Sequence, residues 1–255
     1  MTMENKYDDP VFFEKYSQMD RSQEGLSGAG EWQTLRCILP DFAGKRVLDL
    51  GCGYGWHCIY AAEHGARSVL GLDLSEKMLE AARRKTSQPQ VEYRHGSMEE
   101  AAFPSGSFQV VLSSLALHYV EDYPALVRKV REWLSPGGDF VFTCEHPVFT
   151  AQGPQDWEYG EDGNIRHFPV DRYFLEGKRD ACFLGEHVVK YHRTLTTLLE
   201  TLLENGFVLL HVKEPQPPAE MLSRPGWADE LRRPMMLAVA ARRPHYGDKV
   251  FKAVI

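Results

Sequence analysis

Residues 47–55 read Val-Leu-Asp-Leu-Gly-Cys-Gly-Tyr-Gly. The apolar start of this stretch predicts a buried strand, and the glycines Gly51, Gly53 and Gly55 follow at alternate positions. Because glycine has no Cβ, the backbone of such a loop can turn sharply and approach a ligand closely. A run of helical period at 56–64 comes next. The stretch therefore predicts a strand, a ligand-binding loop and a helix, the unit from which α/β folds are built.

Short aliphatic runs alternate with amphipathic runs of helical period from Lys45 onwards, which predicts a parallel sheet with helices on both faces. Ser75 is the expected N-cap of the second crossover helix, and residues 135–138, Ser-Pro-Gly-Gly, are expected to end a helix before strand five. The sequence thus predicts an α/β fold, doubly wound, with a mostly parallel seven-stranded sheet. The predicted strands are 47–50, 69–73, 91–94, 108–113, 140–144, 207–212 and 235–241.

The sequence predicts one domain with an N-terminal extension and one insertion. Residues 1–44 form an N-terminal extension that can fold into amphipathic helices, 45–145 form the core, and 192–255 supply a terminal helix and strands. Residues 146–191 interrupt the alternation as an insertion that holds eight aromatic residues, too many for a solvated linker. Its strand-like runs at 172–175 and 187–190 predict a β-hairpin, or two added strands, over the mouth of the site.

Composition and charge exclude several classes of function. The net charge of −7 creates a field that repels phosphate polyanions, so we expect no nucleic acid partner. No signal peptide and no apolar run of membrane-spanning length is present, and we expect a cytoplasmic protein with no membrane contact. The five cysteines are scattered without metal-ligand spacing, so we expect no metal site.

An acidic residue follows the glycine loop at a characteristic distance. Asp73 ends the second predicted strand, 22 residues after Gly51, where a carboxylate can accept hydrogen bonds from both hydroxyls of a ribose. The dinucleotide fingerprint places its third glycine three residues after the second, whereas Gly55 comes only two residues after Gly53. This spacing argues against an NAD-linked oxidoreductase.

Three stretches together resemble the class I S-adenosylmethionine-dependent methyltransferases, in particular the bacterial small-molecule type. They read VLDLGCGYG at 47–55, GLDLS at 71–75 and SSLALHYV at 113–120. The resemblance implies a Rossmann-like methyltransferase fold and S-adenosyl-L-methionine as cofactor. It further implies that Asp73 holds the ribose and that Asp49 orients the amino group of the cofactor.

The resemblance also assigns the remaining cofactor contacts. The loop Gly51, Cys52 and Gly53 would pass the methionine part, Leu74 would pack on the adenine, and Ser114 and Leu115 would lie beside the sulfonium. The family often has Gly-Asp after strand three, where this chain has Gly-Ser-Met at 96–98; Ser97 can still accept a hydrogen bond from the adenine amino group, and Met98 can lie against the ring. Tyr16 is the expected contact from the N-terminal extension.

Methyl transfer from a sulfonium requires above all that the acceptor atom is well positioned. An acceptor that is a hydroxyl or a protonated amine must also lose a proton. Three histidines, His118, His146 and His192, follow predicted strands or precede the terminal helix at the edge where ligands of such sheets bind. Each is a candidate catalytic residue, with a purely structural role as the alternative. Arg193 can bind an acceptor carboxylate or simply support its loop. Glu145 with His146 and His192 could form a metal site, but no ligand spacing supports one.

The sequence therefore predicts S-adenosylmethionine-dependent methyl transfer to a small-molecule acceptor. The alternative is a non-catalytic regulator or assembly factor that kept the fold and the cofactor site, because a fold by itself does not fix a function.

Overall fold

The computed structural model describes residues 5–245, and a seven-stranded sheet forms its centre. Aliphatic side chains fill the middle strands on both faces, as a parallel sheet between two helical layers requires. The strands are β1 (Arg46–Leu50), β2 (Ser68–Asp73), β3 (Val91–His95), β4 (Phe108–Ser114), β5 (Leu134–Glu145), β6 (Glu158–Tyr159), β7 (Ile165–His167), β8 (Gly177–Phe183), β9 (Glu186–His192), β10 (Val208–Lys213) and β11 (Met236–Arg242).

The order across the main sheet is β10-β11-β5-β4-β1-β2-β3. Neighbours from β5 to β3 pair in parallel, whereas β11 is antiparallel to both β5 and β10. This confirms the predicted doubly wound, mostly parallel sheet. The carboxyl ends of β1, β2, β4 and β5 consequently meet at one edge, where ligands of such sheets bind.

Helices cover both faces of the sheet. They are α1 (Pro10–Ser17), α2 (Asp20–Gln23), α3 (Trp32–Ile38), α4 (Trp56–Glu63), α5 (Glu76–Lys85), α6 (Tyr123–Trp133), α7 (Pro147–Thr150) and α8 (Leu195–Glu204). The hydrophobic cluster beneath α6 and α8 contains Trp133 and Leu202, and the cluster on the opposite face contains Leu35 of α3 and Cys58 of α4. Ser75 caps α5 as predicted, its hydroxyl accepting a hydrogen bond from the Met78 N–H.

Two predicted boundaries were wrong. Residues 135–138 do not end α6: the helix already ends at Trp133, and these residues lie within β5, which begins at Leu134 and pairs there with Phe108 ahead of an irregular step in the ladder. The run 172–175 is a turn rather than a strand: Arg172 has φ +59° and its carbonyl accepts a hydrogen bond from the Leu175 N–H. The predicted hairpin is present, but its first strand, β8, begins five residues after the predicted start. It pairs antiparallel with β9, which contains the predicted second strand.

Among residues 5–245, no helix combines the length and the apolar character that crossing a bilayer requires.

Candidate active site

A cavity of about 640 Å³ opens at the carboxyl edge of the sheet. Its walls come from the glycine loop, the ends of β2, β4 and β5, the N-terminal segment and the β8–β9 hairpin. The hairpin therefore does lie over the mouth of the site, as the sequence predicts. Among the sequence-predicted residues, those that line the cavity are Tyr16, Gly51, Gly53, Asp73, Met98, Ser114, Leu115 and His118.

The glycine loop is held by main-chain hydrogen bonds to the end of β2. The Gly51 N–H donates to the Leu72 carbonyl at 2.8 Å, and Gly51 has φ +72°. A Cβ at Gly51 would lie 2.4 Å from the Cβ of Ala116, so this position has no room for a side chain. A Cβ at Gly53 (φ +52°) would meet no atom within 4 Å, which leaves its main chain open to a ligand.

Asp73 faces the cavity from the end of β2. Its Oδ2 accepts a hydrogen bond from the Gly53 N–H at 2.8 Å, and its Oδ1 accepts one from the Ser75 N–H at 2.9 Å. Burial raises the pKa of Asp73 above its usual value, against these hydrogen bonds, which lower it. Each carboxylate oxygen keeps a second lone pair. Asp73 can therefore accept two hydroxyl hydrogens on one edge of a ribose.

Asp49 and Cys52 lie beneath the loop rather than in the cavity wall. Asp49 is 1% exposed; its Oδ2 accepts a hydrogen bond from the Cys58 thiol at 3.3 Å, while its Oδ1 has no hydrogen-bond partner in the described chain. Burial raises the pKa of Asp49 to about 7. The Cys52 side chain is also buried. An orphaned carboxylate oxygen below the loop fits a donor such as the ammonium of a methionine group.

The predicted adenine side is only partly in the wall. Met98 lines the cavity, whereas Leu74 and Ser97 do not. The Leu74 carbonyl accepts a hydrogen bond from the Asn5 side chain at 2.9 Å, and the Ser97 hydroxyl accepts one from the Glu99 N–H at 3.1 Å. The Ser97 hydroxyl thus stabilises its own turn, which weakens its assignment to the adenine.

Ser114 and Leu115 form the wall where β4 ends. Leu115 adopts φ +51°, a left-handed conformation that is costly for a residue with a Cβ. Its N–H donates to the Thr143 carbonyl of β5 at 2.9 Å, and the hydroxyls of Ser114 and Thr143 lie 3.1 Å apart. This strained turn directs the main chain of 114–116 along the cavity.

Aromatic rings of the N-terminal segment close one side. The Tyr16 ring stands at right angles to the rings of Tyr7 and Tyr54, with centroid distances of 5.4 and 5.8 Å. The hydroxyls of Tyr7 and Tyr119 lie 3.1 Å apart and join the segment to the turn after β4. The N-terminal extension thus covers the cavity with rings that can contact a bound cofactor.

The three candidate histidines differ in their position relative to the cavity. His118 lines the cavity, and its Nδ1 accepts a hydrogen bond from the Glu145 N–H at 3.4 Å. Since an N–H can only donate, the neutral His118 ring carries its proton on Nε2, which lies 3.9 Å from the Glu145 carboxylate. Burial lowers the pKa of His118 to about 4. The ring is therefore neutral at pH 7 and presents a donor rather than a free base.

His146 and His192 do not line the cavity. His146 caps α7 by accepting the Val148 N–H at 3.0 Å, and its Nε2 lies 3.0 Å from Glu214. His192 is fully buried; its Nε2 donates to the Tyr173 carbonyl at 2.8 Å and its Nδ1 accepts from the Thr150 hydroxyl at 2.7 Å. Both rings thus support the fold around the site.

Arg193 is likewise occupied away from the cavity. Its guanidinium donates to the main-chain carbonyls of Glu121 and Tyr191 at 3.0 and 3.2 Å, and it also contacts the carbonyl of Val120. This arrangement favours the supporting role over the binding of an acceptor carboxylate.

Sequence reasoning considered Glu145, at the end of β5, only for a metal site, but this residue also lines the cavity. Its Oε1 lies 2.5 Å from the Lys190 Nζ, and its Oε2 accepts a hydrogen bond from the Gln155 amide at 2.7 Å. Burial opposes the charged form, but His118 and the Lys190 ammonium outweigh it and lower the pKa of Glu145. The available signal was its position at the end of a strand, beside His146. In the described range, no group of three or more His, Cys, Asp or Glu side chains is arranged to hold a metal ion.

Comparisons with known proteins agree with this geometry. A family model described as a methyltransferase domain matches residues 47–138. The crystal structure of an S-adenosylmethionine-dependent methyltransferase from Mesorhizobium loti is 49% identical, with a TM-score of 0.80 over 86% of this chain and 100% of that chain. A structure from Listeria monocytogenes, assigned to the same class, is 55% identical, with a TM-score of 0.83 over 87% of this chain and 100% of that chain.

Among curated relatives, the demethylmenaquinone methyltransferase of Listeria monocytogenes is 39% identical over 172 residues, which cover 64% of this chain and 70% of that protein. The matching region includes the glycine loop, and the sheet is seven-stranded and mostly parallel, as the sequence predicts. This chain belongs to the class I S-adenosylmethionine-dependent methyltransferases.

Proposed function

We propose that the protein methylates a small-molecule acceptor through a hydroxyl or amine group that Glu145 binds. The observation that carries the proposal is the ionised Glu145 carboxylate in the wall of a cavity whose other wall is the cofactor loop. The Listeria relative is named for methylation of demethylmenaquinone, a small molecule, which supports this class of acceptor.

The cofactor wall fits S-adenosylmethionine in shape and chemistry. The open main chain at Gly53 and the side-chain-free position at Gly51 leave room for the methionine part, and the orphaned Oδ1 of Asp49 suits its ammonium. Asp73 is positioned to hold the ribose, and Tyr16 and Met98 supply apolar contact. When bound, S-adenosylmethionine supplies a methyl group already activated by the positive sulfonium.

The acceptor wall supplies a hydrogen-bond donor and a carboxylate. The Nε2–H of His118 can donate to the acceptor, and Glu145 can accept its O–H or N–H. As the carbon–oxygen or carbon–nitrogen bond forms, the acidity of that proton rises steeply, so an ionised carboxylate of lowered pKa can still take it. We therefore propose Glu145, rather than one of the histidines, as the proton acceptor.

Isotope-labelled S-adenosylmethionine and a panel of hydroquinones, catechols and primary amines test this proposal. Glu145→Gln should lower kcat by about 10²–10⁴-fold, because the proton loses its acceptor. The affinity for S-adenosylhomocysteine, measured by calorimetry, should stay within about twofold, because the cofactor motifs are untouched. Glu161→Gln, the same change at an exposed carboxylate outside the cavity, is the matched control.

Lys190 loses its charged partner in Glu145→Gln, so the double variant Glu145→Gln/Lys190→Met is measured alongside it. Wild-type turnover in a folded double variant would refute the role of Glu145. Tight cofactor binding without transfer to any acceptor of the panel would favour the non-catalytic alternative instead.

A further inference from the structure

A second cavity, of about 430 Å³, adjoins the active site. It lies between two segments, residues 19–31 of the N-terminal extension and residues 215–236, which lead into β11. Four residues line both cavities and so form the boundary between them: Met19, Arg21, Met235 and Met236. This boundary thus includes three methionines, whose flexible side chains can move aside for a long molecule that starts at the active site.

Polar contacts at the rim hold the two segments together. Arg224 lies 2.6 Å from Asp20 and 3.6 Å from Glu24, and the Gln33 side chain donates to Glu220 at 2.8 Å. These pairs fix the position of the walls without filling the space between them. The cavity is thus a built feature of the fold, formed where the N-terminal extension packs on the approach to β11.

The lining is mainly apolar. Trp227 forms one side, and a Cβ on Gly30 opposite would lie 2.7 Å from its ring. Methionines and prolines complete the wall, and the carboxylates of Asp20 and Glu230 are paired with Arg224 and Arg233. Such a surface favours an apolar ligand and offers it one buried polar contact point whose atom has no partner in the described chain.

Glu31 provides that contact point. Its side chain is 3% exposed, its Oε1 is paired with Arg21, and its Oε2 has no hydrogen-bond partner in the described chain. A buried carboxylate oxygen without a partner is unfavourable, so a ligand that donates to it gains affinity. Because Arg21 already balances the charge of Glu31, a neutral donor suits the site better than a cation.

We infer that the acceptor is an elongated, largely apolar molecule whose distal part fills the second cavity and donates a neutral N–H or O–H hydrogen bond to Glu31. The inference rests on the proposed function, since it assigns the second cavity to the acceptor of the same methyl transfer. It predicts that distal binding and cofactor binding occur at once, without competition.

The test uses N-phenyl-1-naphthylamine, an apolar fluorescent probe with one neutral N–H, added to the full-length protein saturated with S-adenosylhomocysteine. We expect saturable binding that persists at saturating S-adenosylhomocysteine. Trp227→Ala removes one wall of the cavity, and Glu31→Gln replaces Oε2 by an NH2 donor while the remaining oxygen stays with Arg21, so each should weaken probe binding by about tenfold. The two variants act through different contacts, so a folding defect in one leaves the other informative.

Phe174→Ala is the control for nonspecific binding, because Phe174 is 87% exposed and lies outside both cavities. Probe binding in this variant should match that of the wild type. Displacement of the probe by S-adenosylhomocysteine, or wild-type affinity in both cavity variants, overturns the inference while the proposed function stands. Failure of S-adenosylhomocysteine to bind at all overturns the proposed function, and the inference with it.

Discussion

Asp49 shows how one residue can link the stability of the empty protein to the binding of its cofactor. The carboxyl group is buried beneath the glycine loop, with a thiol as partner of one oxygen and, among residues 5–245, no partner for the other. The pKa of an isolated Asp side chain is about 3.9, whereas burial raises the pKa of Asp49 to about 7. The folded protein therefore binds this proton more tightly than the unfolded chain does.

The contribution of Asp49 to stability should depend on pH in a defined direction. It is fully present below about pH 4, where both states carry the proton, and it is lost as the pH rises through about 7. The loss amounts to as much as about 4 kcal/mol, since one pKa unit corresponds to about 1.4 kcal/mol. Asp49→Asn should abolish it, so the cofactor-free variant should lose less stability than the wild type between pH 5 and pH 8.

Calorimetric unfolding at these two pH values is the measurement, with Asp156→Asn at an exposed position as the matched control. The control should follow the wild type. Equal losses of stability in the wild type and in Asp49→Asn would show that Asp49 is ionised in the empty protein.

At the scale of elements, the β8–β9 hairpin is joined to the main sheet through one buried ion pair. The Lys190 side chain of β9 is 3% exposed, and its Nζ lies 2.5 Å from Glu145 of β5 and 2.7 Å from Gln155. Removing one member of a buried pair leaves the other charge without compensation, and this costs more than the pair itself contributes.

Lys190→Met should therefore lower the free energy of unfolding by about 3–5 kcal/mol, because the Glu145 carboxylate stays buried without its cation. Glu145→Gln/Lys190→Met, which removes both charges, should regain most of that loss. Urea denaturation of the three proteins measures the difference. Lys178→Met, on the exposed side of β8, should change stability by less than about 0.5 kcal/mol. A double variant as unstable as Lys190→Met would contradict the pairing.

The main sheet could be predicted from the sequence because its strands and helices have local signals. These are the periodicity of apolar residues and residues such as Gly51, in a turn, and Ser75, at a helix N-cap. The first hairpin strand could not be placed, because Arg172 adopts a left-handed turn that no local pattern requires. Glu145 and Lys190 are 45 residues apart, and only the folded hairpin brings them together. Cofactor motifs are local, whereas the acceptor wall is assembled over long range, so its residues were harder to identify.

At the scale of the whole molecule, the N-terminal segment is fastened to the cofactor edge by a few polar contacts. Asp8 accepts hydrogen bonds from the Ser75 hydroxyl at 2.6 Å and from the Lys77 N–H at 3.2 Å, at the start of α5. Asn5 donates to the Leu74 carbonyl at 2.9 Å. Because residues 5–7 line the cavity, these contacts hold part of the cavity wall in place, and we expect them to affect cofactor binding.

Asp8→Ala should consequently weaken the binding of S-adenosylhomocysteine by about tenfold, since the carboxylate loses both hydrogen bonds from the start of α5 and a third from the Asn5 amide. A ligand at 100 times its dissociation constant raises the free energy of unfolding by about 2.7 kcal/mol, and at 10 times by about 1.4 kcal/mol. At one fixed concentration of S-adenosylhomocysteine, the stabilisation of Asp8→Ala should thus be about half that of the wild type, as measured by thermal denaturation. Asp41→Ala, at an exposed carboxylate outside the cavity, should keep the full stabilisation. If Asp8→Ala were stabilised as strongly as the wild type, cofactor binding would not depend on how the N-terminal segment is fastened to α5.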